Sequence, residues 1–456
     1  MTGSHGSAPP LARRLTTGHA VVIGVGSMVG AGLFTAFGPA AAAAGGWLLG
    51  ALAVAALIAF CNATSSAQLA AQYPTSGGTY VYGRERLGPW WGFVAGWGFV
   101  IGKTASCAAM ALAFAAYVAP PGWERVVGVA AVVTLTAVNY RGITRTARLT
   151  MVIVTGVLAA LVVVVVALTL TPGADRTGSA VAPAGGVGGV AGVLQGAAIL
   201  FFAFAGYARI ATLGEEVVDP ARTIPRAVLG AFAVVVPLYA VTALVLVRSL
   251  GVPALAASAA PLRSAADTTP WSSWLTVVVG FAAAAATLGA LLALVAGVGR
   301  TTLAMAREGD LPRRLAAVHE RYAVPHVAEI SVAVVVCALV VLTDLRGVIG
   351  FSSFGVLTYY AVANAAALTQ DRAHRRYPRA LAALGVVGCV ALAFAVPSGS
   401  LVAGVAVLAV GLVGRLVATR ARNRRGGTGG PGTDGPGAGG RDTRGALPMD
   451  GGSAAF

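Results

Sequence analysis

Lysine is almost missing from this chain: among 32 Lys and Arg residues in 456, only Lys103 is a lysine. Acidic residues are scarce as well, 16 Asp and Glu, and charged residues make up only 11% of the whole. A soluble domain of ordinary composition carries about 25%. That shortage excludes a conventional water-soluble domain. With 57% hydrophobic residues and a mean hydropathy of +0.80, it predicts an all-α integral membrane protein whose main partner is the lipid bilayer. The four cysteines, Cys61, Cys107, Cys337 and Cys389, fall in apolar runs without metal-ligand spacing, and the five histidines contain no HExxH pair. No disulfide framework, metal or cofactor is expected. Nor do the apolar runs hold a nucleophile–base pair, so an enzyme is not expected either. The net charge of +16 is dispersed over many short connections, which argues against nucleic acid as a partner.

What is present is a succession of apolar runs near the roughly 20 residues that a bilayer requires. Twelve are read, at about 19–44, 47–72, 90–118, 123–140, 147–170, 190–217, 225–250, 271–305, 326–343, 347–369, 379–397 and 399–419. Arginines crowd the connections on one side, at 13–14, 84–86, 141–148, 222–226, 300–321 and 372–379 and after 415. The other side holds Arg125, Arg176, Arg248, Arg263 and Arg346. This asymmetry predicts a cell-membrane protein with both termini cytoplasmic. Residues 1–18 form a polar cytoplasmic segment without the apolar core of a signal peptide, so the first span is expected to act as its own insertion signal. From 420 to 456 the chain is basic and then glycine-rich, and a disordered cytoplasmic tail is expected.

The first span is irregular. Gly24–Phe34 reads GVGSMVGAGLF, four glycines in eleven residues. Lipid offers no partner to a free backbone N–H or C=O, so non-helical backbone at membrane depth belongs where protein or a cavity surrounds it. A packing face of small residues is the alternative. The sixth span carries a counterpart, FFAFAGYARI, interrupted at Gly206. Paired interruptions at corresponding places point to an inverted-repeat transporter, with 19–170 and 190–369 as the repeats and 379–419 as two additional spans.

Four motifs in order carry a family resemblance: GSMVGAGLF in span one, YPTSGGTYVYGRERLGPWWGFVAGW after span two, FFAFAGYARIATLGEEVVDPARTIPRA in and after span six, and RTTLAMAREGDLPRRLAAVHERYAVP after span eight. Together they resemble the amino acid–polyamine–organocation permeases, nearest to the cationic-amino-acid-transporter-like branch. The resemblance implies a LeuT-like fold of five plus five inverted helices with 12 transmembrane helices, the first and sixth broken, and secondary transport of an amino acid by alternating access. It places Gly30, Ala31 and Gly32 with their N–H groups toward the substrate carboxylate, which suits a half-helix N-terminus. It places Ser27 in the site, with the carbonyls of Val25, Gly26, Phe202, Ala203 and Ala205 near the substrate ammonium. Phe204 is the implied gate.

Two residues depart from the pattern. Lys103 sits mid-span in GFVIGKTASC, where a charge costs roughly 2.5–3.5 kcal/mol on insertion scales. Some relatives use a lysine in the fifth span for proton coupling; here Val157 stands near that place, so Lys103 is the candidate coupling residue and the proton the expected ion. Arg209 follows the second interruption, either paired with Glu216 or facing a substrate carboxylate. Two cations without a buried acid disfavour a cationic substrate. A neutral amino acid is therefore expected, ahead of a cationic amino acid, a polyamine or an exchanger or exporter; a transport-inactive sensor is the remote alternative. Glu215, Glu216, Arg222 and Arg307 are the expected inner gate.

Overall fold

The computed structural model of the chain describes residues 15–74, 77–141, 147–171, 188–211, 217–322 and 324–426. Among them the regular structure is helical, and one isolated backbone bridge joins Leu15 to Val217. The first apolar run divides into α1 (Thr17–Met28), α2 (Ala31–Thr35) and α3 (Phe37–Ala44). After it come α4 (Leu48–Gln72), the short α5 (Gly78–Leu87), α6 (Pro89–Val118), α7 (Glu124–Tyr140) and α8 (Ala147–Leu170). The second half opens with α9 (Gly189–Phe204), α10 (Ala208–Ala211), α11 (Pro220–Ala257) and α12 (Pro261–Ala266). It continues with α13 (Ser272–Arg307), α14 (His326–Leu342), α15 (Leu345–Leu368), α16 (Arg379–Ala395) and α17 (Ser398–Gly426).

Nine helical stretches among the described residues are long and apolar enough to cross a membrane. The other three expected spans correspond to α7, α14 and α16, each of 17 residues. At 1.5 Å per residue such a helix reaches about 25 Å, the lower limit for the hydrocarbon core. Trp47, Trp90, Trp91, Trp123, Trp271 and Trp274 are exposed at helix ends, the placement of an aromatic belt at the membrane interface. The chain is a multi-pass membrane protein.

Small residues set the interior. α6 meets α15 at Gly98, Gly102 and Gly355, and a Cβ built on Gly355 would stand 2.7 Å from the Gly102 Cα. With no hydrophobic drive between helices in lipid, such close approach is what holds them. α3 and α4 both pack on α9, and Gly45 at φ +57° makes the turn between them, a conformation that side chains with a Cβ rarely adopt.

Residues up to Leu412 form one compact unit and a second begins at Val413. The second is helical as far as Gly426, seven residues into the segment 420–456 expected as a disordered tail. Arginine is a good helix former, so a helix begun by an apolar run continues through a basic one as far as Gly426. The rest of that expected tail, 427–456, lies outside the described residues.

Candidate functional site

The two interruptions take different forms. α1 ends at Met28, and Val29 (φ −76°, ψ 68°) and Gly30 (φ −121°, ψ −145°) leave the helical region before α2 starts. α9 ends at Phe204, and Ala205–Tyr207 tighten into a single 3-10 turn before α10. The interruptions touch through backbone. A Cβ on Gly206 would overlap the Ser27 carbonyl and come within 2.6 Å of the Met28 nitrogen, and one on Gly32 would overlap the Ala203 Cα. Only glycine permits either crossing.

One hydroxyl ties the two segments together. Tyr239 of α11 points its Oη at the Met28 carbonyl (2.7 Å) and the Ala203 carbonyl (3.0 Å), which share its single proton. Other backbone groups are engaged locally: Val29 N–H donates to Val25 O (2.7 Å) and Gly30 N–H to Met28 O (2.8 Å).

Side chains of α6 meet both interruptions. The buried Lys103 Nζ donates to Ala205 O at 3.1 Å, a carbonyl that also accepts from Tyr360 Oη at 3.3 Å. The Ala31 N–H donates to the Met110 thioether at 3.2 Å. Between them Ser106 Oγ lies 2.7 Å from Ser352 Oγ. Lys103, Ser106 and Met110 sit at i, i+3 and i+7, one face of a helix.

A cavity of about 290 Å³ opens beside the crossing, near the lower end of small-molecule sites. Of the expected residues it is lined by Ser27, Gly32, Phe202, Ala203, Ala205, Arg209 and Lys103. Arg300 adds a third cation, and no acidic residue lines it among those described. Phe99, Phe202, Leu294 and Met110 supply apolar wall.

The structure does not bring every expected residue to this cavity. Gly26 faces α8, where its Cβ would overlap Val154, and the Val25 carbonyl closes the last turn of α1. Gly30 and Ala31 lie behind Met110. The largest displacement concerns Phe204. It is fully buried against Phe232 (ring centroids 6.1 Å) and Tyr239 (5.0 Å) and does not line the cavity, whereas Phe202 does.

Two different networks lie along α6, one beyond the cavity lining and one at it. At the α6 C-terminal end Tyr117 Oη donates to Phe34 O (2.7 Å) and accepts the Leu262 N–H (3.3 Å), while Arg263 donates to Tyr117 O (3.2 Å). Toward the other end the lining is Tyr80, Arg300, Thr301 and Ala304. There Tyr80 Oη donates to Asp310 at 2.8 Å, and Arg84 pairs with Asp310 (3.4 Å) and Glu308 (3.1 Å). Burial and the Asp310 carboxylate push the Tyr80 phenol above its ordinary value, so it stays a donor.

This network differs from the expected inner gate. Glu215 and Glu216 lie outside the described residues. Arg222 makes an exposed pair with Asp219 at 3.7 Å, and Arg307 is exposed at the end of α13; among the described residues no ion pair joins the two. Tyr80 and Asp310 had a signal, since both stand inside the polar motifs that follow spans two and eight. Tyr239 had a weaker one, a tyrosine in an apolar run whose hydroxyl must find a partner. Met110 in its alanine-rich run had none.

A family model described as amino acid permease matches residues 19–420. Uncharacterised transporters of Mycobacterium bovis and Mycobacterium tuberculosis are 57% identical over 416 residues, covering 90% of this chain and 93% of theirs. Cationic amino acid transporter 7, chloroplastic, of Arabidopsis thaliana is 28% identical over 369 residues, 75% of this chain and 63% of its own. The branched-chain amino acid permease BcaP of Bacillus subtilis is 24% identical over 405 residues, covering 82% and 84%.

Proposed function

The chain belongs to the amino acid permease family, and from that premise we propose that it is a secondary active carrier of neutral, apolar amino acids, driven by the proton and working by alternating access in the cell membrane. The observation that carries this reading is the crossing of two interrupted spans beside a cavity with three cations and no carboxylate in its described lining. Ala31 at the start of α2 offers an N–H to the substrate carboxylate, and the carbonyls of the second interruption take the ammonium. The side chain rests on the apolar wall. The buried Lys103 repels a cationic side chain. The branched-chain permease among the relatives agrees with this choice; the cationic transporter does not.

The arginine asymmetry supports an orientation with both termini in the cytoplasm. On that orientation the Tyr80 end of the cavity lies toward the cytoplasm. Residues 19–170 and 190–369 act as inverted repeats, and 379–419 as two further spans, twelve in all. Lys103 is the coupling residue: protonated it holds Ala205 O by a charge-assisted bond, and once its proton passes to water in the cavity only a weaker neutral-amine bond is left.

Uptake into proteoliposomes under an imposed pH gradient, with an amino acid panel, tests this. The wild type is expected to accumulate a neutral amino acid, and Lys103→Ala to lose gradient-driven accumulation while still exchanging substrate. Full pH-driven accumulation by the variant overturns the coupling role. Arginine or putrescine as the best competitor overturns the charge argument.

A further inference from the structure

Lys103 and Met110 touch the two backbone groups that a zwitterionic amino acid is expected to claim. The Lys103 ammonium holds the Ala205 carbonyl at 3.1 Å, and the Met110 sulfur accepts the Ala31 N–H at 3.2 Å. One group is the carbonyl turned out at the second interruption; the other is the first N–H after the first interruption. Both contacts come from one helix face, two turns apart, and both side chains line the cavity. Building on the amino acid site argued above, we propose that α6 carries an internal surrogate of the substrate: Lys103 stands in for its ammonium and Met110 for its carboxylate, and loading displaces both.

The physical need is clear. A carrier that completes its cycle must pass through an empty state, and a buried N–H or C=O without a partner is costly. The surrogate satisfies both groups when no substrate is present. Each contact is also suited to release. A thioether is a weak acceptor on a flexible side chain, and a carboxylate forms a charge-assisted bond roughly twice as strong as a neutral one. Lysine has four rotatable methylenes and retreats along the cavity toward Ser106. A carrier whose empty form is satisfied in this way returns without cargo and performs net transport. Without the surrogate, only the loaded form is satisfied, and the carrier is confined to exchange.

Met110 gives the cleaner test, because Lys103 also serves coupling. Met110→Leu keeps the volume and removes the acceptor; Met110→Gln supplies a stronger acceptor. Full-length protein in proteoliposomes is assayed for counterflow with substrate on both sides and for net uptake into empty vesicles. For Met110→Leu the apparent substrate affinity is expected to tighten by roughly 5-fold and the ratio of exchange to net uptake to rise by a similar factor. For Met110→Gln both changes are expected to reverse sign. A monodisperse elution profile and an unchanged thermal unfolding midpoint in detergent for each purified variant are the internal control for folding. Unchanged ratios in both variants overturn the surrogate, as does weakened affinity in both with the ratio unchanged, which marks Met110 as an ordinary substrate contact. Failure of the wild type to exchange any amino acid overturns the site reading itself, and the surrogate with it.

Discussion

The two interrupted spans solve the same problem with opposite backbone chemistry. At Val29–Gly30 the chain leaves helical geometry, and the group set free is a donor, the Ala31 N–H. At Ala205–Tyr207 it only tightens, and the group turned out is an acceptor, the Ala205 carbonyl that takes side-chain donors from Lys103 and Tyr360. A wide opening beside a narrow one gives the site polarity along its length. On the proposed function, a zwitterion fits that polarity in one orientation, its carboxylate toward α2 and its ammonium toward the 3-10 turn. The crossing at Gly206 and Gly32 fixes how far apart the two groups lie.

The comparison breaks most completely at the crossing. Gly206→Val puts a branched side chain against the Ser27 carbonyl, which cannot move without disturbing the first interruption. Counterflow is expected to fall to background, whereas Gly297→Ala, also on the cavity but with nothing within 4 Å of its Cβ position, is expected to stay near wild type. Uncoupling the two interruptions without adding bulk is the next largest change. Tyr239→Phe removes the proton shared by the Met28 and Ala203 carbonyls, at a cost of about 1–3 kcal/mol, and exchange is expected to drop by roughly 10-fold with the fold retained in detergent. The smallest effect belongs to the acceptor side alone. Tyr360→Phe takes away a 3.3 Å donor while Lys103 remains, so a change of about 2-fold in substrate affinity is expected from competition curves.

The sequence made much of this legible, because glycine at membrane depth and an isolated mid-span lysine are both costly and so carry information. Gly24–Phe34, Phe201–Ile210 and Lys103 do meet at one cavity. Phe204, the gate that the resemblance implies, does not line the cavity: two positions along a helix are about 200° apart, and motif position does not say which one faces it. Phe202 does, and Phe204 packs on Tyr239. The clamp by Tyr239 joins positions 211 residues apart, a contact that depends on how α11 is laid against α1 and lies beyond local pattern. At the inner end the charges were visible but their pairing was not. Exposed Arg222 and the buried Asp310 look alike in sequence, and only burial separates a solvated pair from a structural one.

Competition for counterflow by two trimmed analogues of the best substrate tests the two-ended site most directly, one with the carboxylate removed and one with the ammonium removed. A site with a donor at one end and an acceptor at the other rejects both, each by on the order of 100-fold or more. An amine that competes as well as the intact amino acid would contradict it, because the Ala31 end would then contribute nothing to recognition.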